Sequence, residues 1–359
     1  MKIVLSGGGT LGPVVPLLAI TESYRAVYPK TEFIWVGTHR GPEKELIIKY
    51  NIPFFTLIAG KWRRYFSFWN LIDLFKIFIA FIKSLVFLWE EKPDLLISGG
   101  GFVSVPLHFA AALFGIPTWI HQQDVEPGLA NKIMAKFATK ITTALETGVN
   151  QFGYKSAEWI GNPSRDLTVE DKSISYEKFN LPEDKPVIFA LGGGTGSARI
   201  NQMVLEALPA WPRDWQVIHL VGRERPSELQ ERAMEVFKNY HVYKFFTDEM
   251  KDAYAIADVV IARAGFATLT ELAALGKAAI ILPMAGTHQE ANIKIFSKEQ
   301  AVVAFNERTD TGLKLAQEIK ELILHPEQRE LLGKKLQEIL PRAKPDRIVE
   351  IIDELKNRD

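Results

Sequence analysis

The chain opens twice in the same way: a short apolar run, a glycine-rich loop, then a helix-forming stretch. The first opening is Lys2–Ser6, then GGGTLG (Gly7–Gly12) and a helix to about Tyr28. The second is Pro186–Leu191, then GGGTGS (Gly192–Ser197) and a helix near Ile200–Ala207. A strand that runs through glycines into a helix brings main-chain amides close to a phosphate. It also commits the chain to parallel strands joined by right-handed helical crossovers. Strand candidates Glu32–Val36, Phe54–Leu57, Asp94–Ser98, Thr118–His121 and Lys140–Ala144 follow the first opening. Helices are expected between them at Glu43–Tyr50, Trp69–Trp89, Val105–Phe114 and Leu129–Ala138. Trp215–Val221, Val242–Phe245, Val259–Ala262 and Ala279–Leu282 follow the second. The polar, weakly periodic stretch Gly161–Pro182 reads as a linker, and the tail after Pro341 as a last amphipathic helix from Asp346. The expected fold class is α/β, with two Rossmann-like domains facing a cleft.

The length, 359 residues, fits two domains at roughly 150 residues each. Basic and acidic residues balance at 43 each, so no nucleic-acid partner is expected. The absence of cysteine excludes disulfides, thiolate zinc sites and a cysteine nucleophile. MKIVLSGGG is too short an apolar run for an export signal and reads as a first strand.

A dinucleotide enzyme would place an acidic residue at the end of its second strand to hold a ribose. Here that strand ends Gly37-Thr38-His39, which argues against a nicotinamide oxidoreductase. Two glycine loops in register still point to a phosphate-bearing ligand. With no Asp-x-Asp pair in the chain, a diphosphate would be neutralised by amide dipoles, so no metal or other cofactor is expected. In ARAGFATLTELAALG (Ala262–Gly276), Glu271 lies three positions past Thr268. Two readings stand: a capping box, or a carboxylate that accepts both hydroxyls of a ribose.

Further motifs are SGGGFVSVP (Ser98–Pro106), HQQDVEPGLANK (His121–Lys132), IGNPSR (Ile160–Arg165), FTDEM (Phe246–Met250), RAGFATLTE (Arg263–Glu271) and HQEAN (His288–Asn292). With the two glycine loops, their order and spacing resemble the MurG family of UDP-N-acetylglucosamine transferases over nearly the whole chain. The resemblance implies a GT-B fold and an inverting transfer of GlcNAc from UDP-GlcNAc to the C4 hydroxyl of MurNAc on undecaprenyl pyrophosphate. It implies an acceptor and membrane-docking domain at residues 1–160, with helix 342–359 packing back, and a donor domain at 161–341. By position, Arg165, Phe246, Thr247 and Met250 match the family's uracil contacts, and Glu271 its ribose contact. Gly192, Gly193, Gly194, Phe266, Ala267 and Thr268 fall near the donor diphosphate, and Thr195, Arg263 and Gly265 belong with them to the expected donor site. His288, Gln289 and Asn292 fall at the sugar. Gly8, Gly9, Thr10, Gly12, Gly100, Gly101, Phe102, Ser104 and Asn131 fall on the acceptor side.

Two departures concern the catalytic base. The family's first loop carries a histidine where this chain has Pro13, and its H-E-Q-N becomes His121-Gln122-Gln123-Asp124. Asp124 is then the expected base, with His121 orienting the acceptor or substituting. Alternatives are another GT-B glycolipid transferase, or a weakly catalytic UDP-sugar or lipid-binding relative because of Pro13. Membrane docking is expected from Leu71–Trp89, in which 15 of 19 residues are apolar. Its exceptions, Asp73, Lys76, Lys83 and Ser84, fall in one wedge of about 100°. Next to it, Lys61, Trp62, Arg63, Arg64, Phe68 and Trp69 supply basic and aromatic anchors for an anionic surface. The expected location is peripheral, on the cytoplasmic face of the membrane.

Overall fold

The computed structural model describes residues 1–9, 12–39, 41, 43–57, 69–153, 155–246 and 248–357, with backbone only for 69–74. The chain divides into two units, Met1–Arg165 with Arg342–Asp359, and Asp166–Pro341.

The first unit contains strands β1 (Lys2–Gly7), β2 (Glu32–Thr38), β3 (Phe54–Leu57), β4 (Leu95–Gly100), β5 (Thr118–Gln122), β6 (Lys140–Thr143) and β7 (Glu158–Trp159). Its helices are α1 (Val14–Val27), α2 (Glu43–Lys49), α3 (Trp69–Glu91), α4 (Ser104–Leu113) and α5 (Leu129–Met134). The strands form one parallel sheet in the order β3-β2-β1-β4-β5-β6-β7. Every residue of β4 and β5 is buried, as expected of parallel strands covered on both faces.

The second unit contains α6 (Lys172–Phe179), β8 (Val187–Leu191), α7 (Ala198–Ala207), β9 (Gln216–Leu220), α8 (Glu228–Val236), β10 (Tyr240–Tyr243) and α9 (Met250–Ile256). It continues with β11 (Val259–Ala262), α10 (Phe266–Leu275), β12 (Ala279–Ile281), α11 (His288–Lys298), β13 (Val303–Ala304), α12 (Gly312–Leu324) and α13 (Pro326–Ile339). Its parallel sheet runs β10-β9-β8-β11-β12-β13.

Each sheet reverses its order of addition once, between β1 and β4 in one unit and between β8 and β11 in the other. At such a switch point the loops leaving the two strands diverge to opposite faces and leave a crevice at the carboxyl ends. Both glycine loops stand there, after β1 and β8. This topology places the chemistry.

The segment read as a linker is partly helical. Asp171 caps α6 by accepting from the Ser173 N–H at 2.9 Å, and Asn180 ends it in the left-handed region. Ser175 and Lys178 both bond Asp252 on α9, at 2.9 and 2.5 Å. Only Ser175 and Phe179 of α6 are buried, so no apolar stripe announces it.

The last helix, α14 (Pro345–Lys356), belongs to the first unit. Ile348, Ile351, Ile352 and Leu355 recur at helical spacing and join the core formed by Ile3, Leu17 and Trp35. The Tyr24 and Tyr28 hydroxyls donate to Asp353, each at 3.0 Å. Arg347 holds Glu158 of β7 with two bonds, at 2.7 and 2.9 Å. Its bonds, opposed by burial and reinforced by Lys140, hold the Glu158 carboxyl down to about 2.

A carboxyl more acidic in the folded chain stabilises it fully above the unfolded value, 4.5, and loses that contribution as pH falls through about 2. Both partners remain partly exposed, so water screens the pair and on the order of 1 kcal/mol is expected. Glu158→Gln should lower the melting temperature at pH 7 and flatten its decline between pH 4.5 and pH 2. Thermal melts across that range check this; parallel acid limbs for the two proteins would refute it.

Candidate functional site

In the first unit, the loop after β4 lies against the loop after β1. Gly101 has φ +98, and a Cβ there would stand 3.0 Å from the Gly8 carbonyl oxygen. Two main chains touch where side chains would hold them apart. Beneath them sits a carboxylate that the sequence reading missed. Glu43, fully buried, accepts from the Thr38 N–H at 2.7 Å and the Thr38 hydroxyl at 2.5 Å. It also accepts from the Gly9 N–H at 3.3 Å. The signal for it was a glutamate at a helix start five residues past the end of β2.

Several expected acceptor-side residues face inward. The Ser104 hydroxyl pairs with Ser6 at 2.9 Å and donates to the Gly100 carbonyl at 3.2 Å. The hydroxyl is thus engaged within the protein. His121 is engaged in the same way. It is 0% exposed, with Nδ1 paired to Thr142 at 2.9 Å and Nε2 to Asn162 at 2.8 Å. Burial pushes it down to about 4, against the opposing effect of its bond to Asn162. Both ring nitrogens are engaged within the protein, so His121 is not placed to take a proton from a substrate. Asp124 lies on the turn beyond β5 and is half-buried. Phe102 is also half-buried, close to Gly9. Asn131 is buried on α5 and bonds Gln122.

In the second unit, the loop Gly192–Ser197 turns with Gly196 N–H donating to the Gly193 carbonyl at 3.0 Å. Gly196 has φ +85, and a Cβ there would strike the Val221 carbonyl oxygen. The loop is thereby seated on the segment after β9, with Gly193, Gly194 and Thr195 exposed. Ser197 caps α7 through the Ile200 N–H at 3.2 Å.

Beside it, α10 starts without a side-chain cap. Its N-cap is Gly265, so Thr268 lies inside the first turn and the capping-box reading fails. Glu271 is 8% exposed and accepts from the Tyr254 hydroxyl at 3.1 Å. The uncapped first-turn amides of Phe266, Ala267 and Thr268 make a ready anion site.

Arg263, expected in the donor site, has its Nη1 engaged within the protein. Its Nη1 donates to the Leu282 and Pro283 carbonyls, each at 3.1 Å, and to Glu307 at 2.5 Å. Burial works to raise the Glu307 carboxyl, but the Ala285 N–H and Arg263 overcome it and keep it low. Arg263 thus fastens the turn before α11. On that turn Gln289 accepts from the Met284 N–H at 3.0 Å. His288 is exposed at the start of α11, while Asn292 is buried and donates to the Ala264 carbonyl at 3.4 Å.

Phe246 packs its ring on Phe179 and Tyr243, at 5.4 and 4.8 Å between centroids. Only its main chain is left to face a ligand. The outward aromatic is its neighbour Phe245, with the Arg223 guanidinium 3.8 Å over the ring. Met250 is half-buried at the start of α9, and Arg165 is half-buried in the first unit. Thr10, Thr247, Lys61, Trp62, Arg63, Arg64 and Phe68 lie outside the described residues, as does the side chain of Trp69. Among the described residues, no group of three or more His, Asp or Glu could hold a metal ion.

On α3 the polar wedge is divided: Lys83 is exposed and Lys76 half-buried, while Ser84 turns inward. Ser84 is buried and donates to the Ala80 carbonyl at 2.8 Å, on the same side as Phe87 and Leu88. The face turned outward is apolar: Phe75, Phe78, Ile79, Ile82, Val86 and Trp89, with Phe78 60% and Trp89 67% exposed. Among the described residues, no helix is long and apolar enough to cross a membrane.

Two parallel α/β units, each with a glycine loop at its switch point, have the architecture of GT-B glycosyltransferases. The model of the glycosyltransferase family 28 N-terminal domain matches residues 3–143, and that of the family's C-terminal domain matches 187–344. A Bacillus subtilis (strain 168) protein named UDP-N-acetylglucosamine--N-acetylmuramyl-(pentapeptide) pyrophosphoryl-undecaprenol N-acetylglucosamine transferase is 30% identical over 99% of this chain and 100% of its own length. A Desulforamulus reducens protein of the same name is 32% identical over 98% of this chain and 97% of its own. The crystal structure of Acinetobacter baumannii MurG shares the fold, with a TM-score of 0.77 and 24% identity over 98% of this chain and 99% of that one. The chain belongs to glycosyltransferase family 28, and within it to the MurG family.

Proposed function

We propose that the chain transfers N-acetylglucosamine from UDP-GlcNAc, with inversion, to the C4 hydroxyl of MurNAc on undecaprenyl pyrophosphate, a step of cell-wall synthesis. The observation that carries this reading is the open start of α10 beside the exposed amides of Gly193–Thr195, with Glu271 one turn further on. In this reading the first-turn amides of α10 and the glycine loop take the diphosphate and its growing negative charge. Glu271, steadied by Tyr254, accepts the ribose hydroxyls. The main chain at Phe246 and the side chain of Met250 border the uracil. Gln289, Asn292 and His288 read the sugar. The acceptor oxygen forms its bond to the anomeric carbon as the bond to UDP breaks, and its proton passes to the Asp124 carboxylate. Gly8, Gly9, Gly12, Gly100, Gly101 and Phe102 border the acceptor's diphosphate. Full-length likeness to named transferases favours turnover over binding alone.

The outward apolar face of α3 is assigned to the membrane that holds the lipid acceptor. Burying such side chains in the interface gives on the order of 1.5–3 kcal/mol each. The protein then works as a peripheral enzyme on the cytoplasmic face, with no metal or other cofactor.

A transfer assay with UDP-GlcNAc and a lipid I analogue tests the whole reading; UDP-GlcNAc binding without transfer would overturn it. Turnover should survive chelation. Glu271→Ala should weaken UDP binding by about 2–3 kcal/mol, as expected for hydrogen bonds to a charged group. Calorimetry on the folded variant reporting wild-type affinity would remove Glu271 from the site.

Asp124→Asn should lower turnover by about 10²–10⁴-fold with UDP affinity unchanged. Near-normal turnover in that variant would place the base elsewhere.

Phe78→Glu with Ile82→Glu should abolish co-sedimentation with phosphatidylglycerol vesicles and leave UDP binding intact. Wild-type sedimentation of this variant would show that the exposed face does not dock.

A further inference from the structure

Gln122 ends β5 and is buried, and the orientation of its amide is fixed by its surroundings. Its Nε2 stands 2.7 Å from the carbonyl oxygen of Asp124 and 3.3 Å from that of Glu126. Carbonyl oxygens only accept, so the nitrogen must face them. The side-chain oxygen then faces the other way and accepts from Asn131 Nδ2 of α5 at 2.6 Å. This in turn leaves Asn131 Oδ1 on the side of Gly100, buried and with no hydrogen-bond partner among the described residues. An orphan of that kind costs about 1–3 kcal/mol. The two donations to the turn are kept although a third group goes unmatched.

A carboxylate at position 122 could not do this, because it has no hydrogen to give to either carbonyl. An amide at 122 ties down the turn, and the turn carries the Asp124 carboxylate.

We propose that Gln122 is a positioning residue for the acceptor half of the reaction, holding the main chain of Asp124 and Glu126 so that the Asp124 carboxylate meets the acceptor's hydroxyl. This rests on the reading of Asp124 as base. Gln122 touches no reacting atom and acts through Asp124 alone.

The experiment is a double-mutant cycle on kcat, with KM for UDP-GlcNAc and calorimetric UDP affinity measured alongside. Gln122→Glu keeps the size and the bond from Asn131 but turns an oxygen toward both carbonyls. It should lower kcat by about 10- to 100-fold, the scale of a small misplacement of a reacting group. KM for UDP-GlcNAc and UDP affinity should stay at wild-type values. In the Asp124→Asn background the same change should cause no further loss. Gln122→Met, uncharged and of similar volume, runs the same cycle should the glutamate variant not fold. Wild-type kcat for Gln122→Glu, a loss that multiplies with that of Asp124→Asn, or a fall in UDP affinity would each overturn the assignment. Asp124→Asn with wild-type turnover would instead remove the base reading itself, and any loss from Gln122→Glu would then lie outside Asp124.

Discussion

In both units two main chains meet where glycine leaves no side chain between them: Gly101 against Gly8 in one, and Gly196 against the segment after β9 in the other. The rest of the molecule depends on these contacts. A parallel sheet satisfies its amides along the strands and sends every connection over a face, so unpaired polar groups collect at the carboxyl ends. At the switch point two such ends are neighbours. Glycine lets their loops close on each other and leaves amides such as those of Gly193 and Gly194 at the surface. Any larger residue at Gly101 or Gly196 would wedge the loops apart. That would remove the amide surface to which the diphosphate is assigned in the proposed function.

The fold class was legible because its signals are local and periodic. Apolar runs of strand length, glycine loops and helical stretches alternate, and that pattern admits few architectures. The site was legible as segments, and much less so as side chains. Ser104, His121 and Arg263 all lie in motif stretches, yet each turns its polar atoms into the protein. A sequence names the residue at the end of a strand but not the face it takes when register and crossover direction are set by the whole sheet. Phe245 and Phe246 illustrate this. Both lie just past the end of β10, and which ring is buried follows from the partners Phe179 and Tyr243. Helix α6 escaped notice for a related reason, since its anchorage is polar and runs through Asp252.

Glu43 and Gln122 share a feature that spacing alone does not reveal. Each is a buried polar side chain that, besides one side-chain partner, bonds two main-chain groups at the end of a strand or in the turn beyond: amides for the one, carbonyls for the other. Buried polar groups bonded in this way fix a loop more tightly than apolar packing, because a displaced loop leaves them unmatched. The segments around Gly9 and after β5 are therefore held by two side chains outside the expected ligand contacts.

Helix α14 has a consequence for how the chain is made. It fills the core beside α1, yet it is separated from it by the entire second unit: Tyr24 and its partner Asp353 are 329 positions apart. On the ribosome, β1 to β7 emerge first and must wait, with the flank of α1 uncovered, until residues 166–341 have been synthesised and can fold. The first unit is the earlier one to be translated and the later one to be completed. Until α14 arrives, its exposed flank is a natural place for a chaperone to hold the nascent protein.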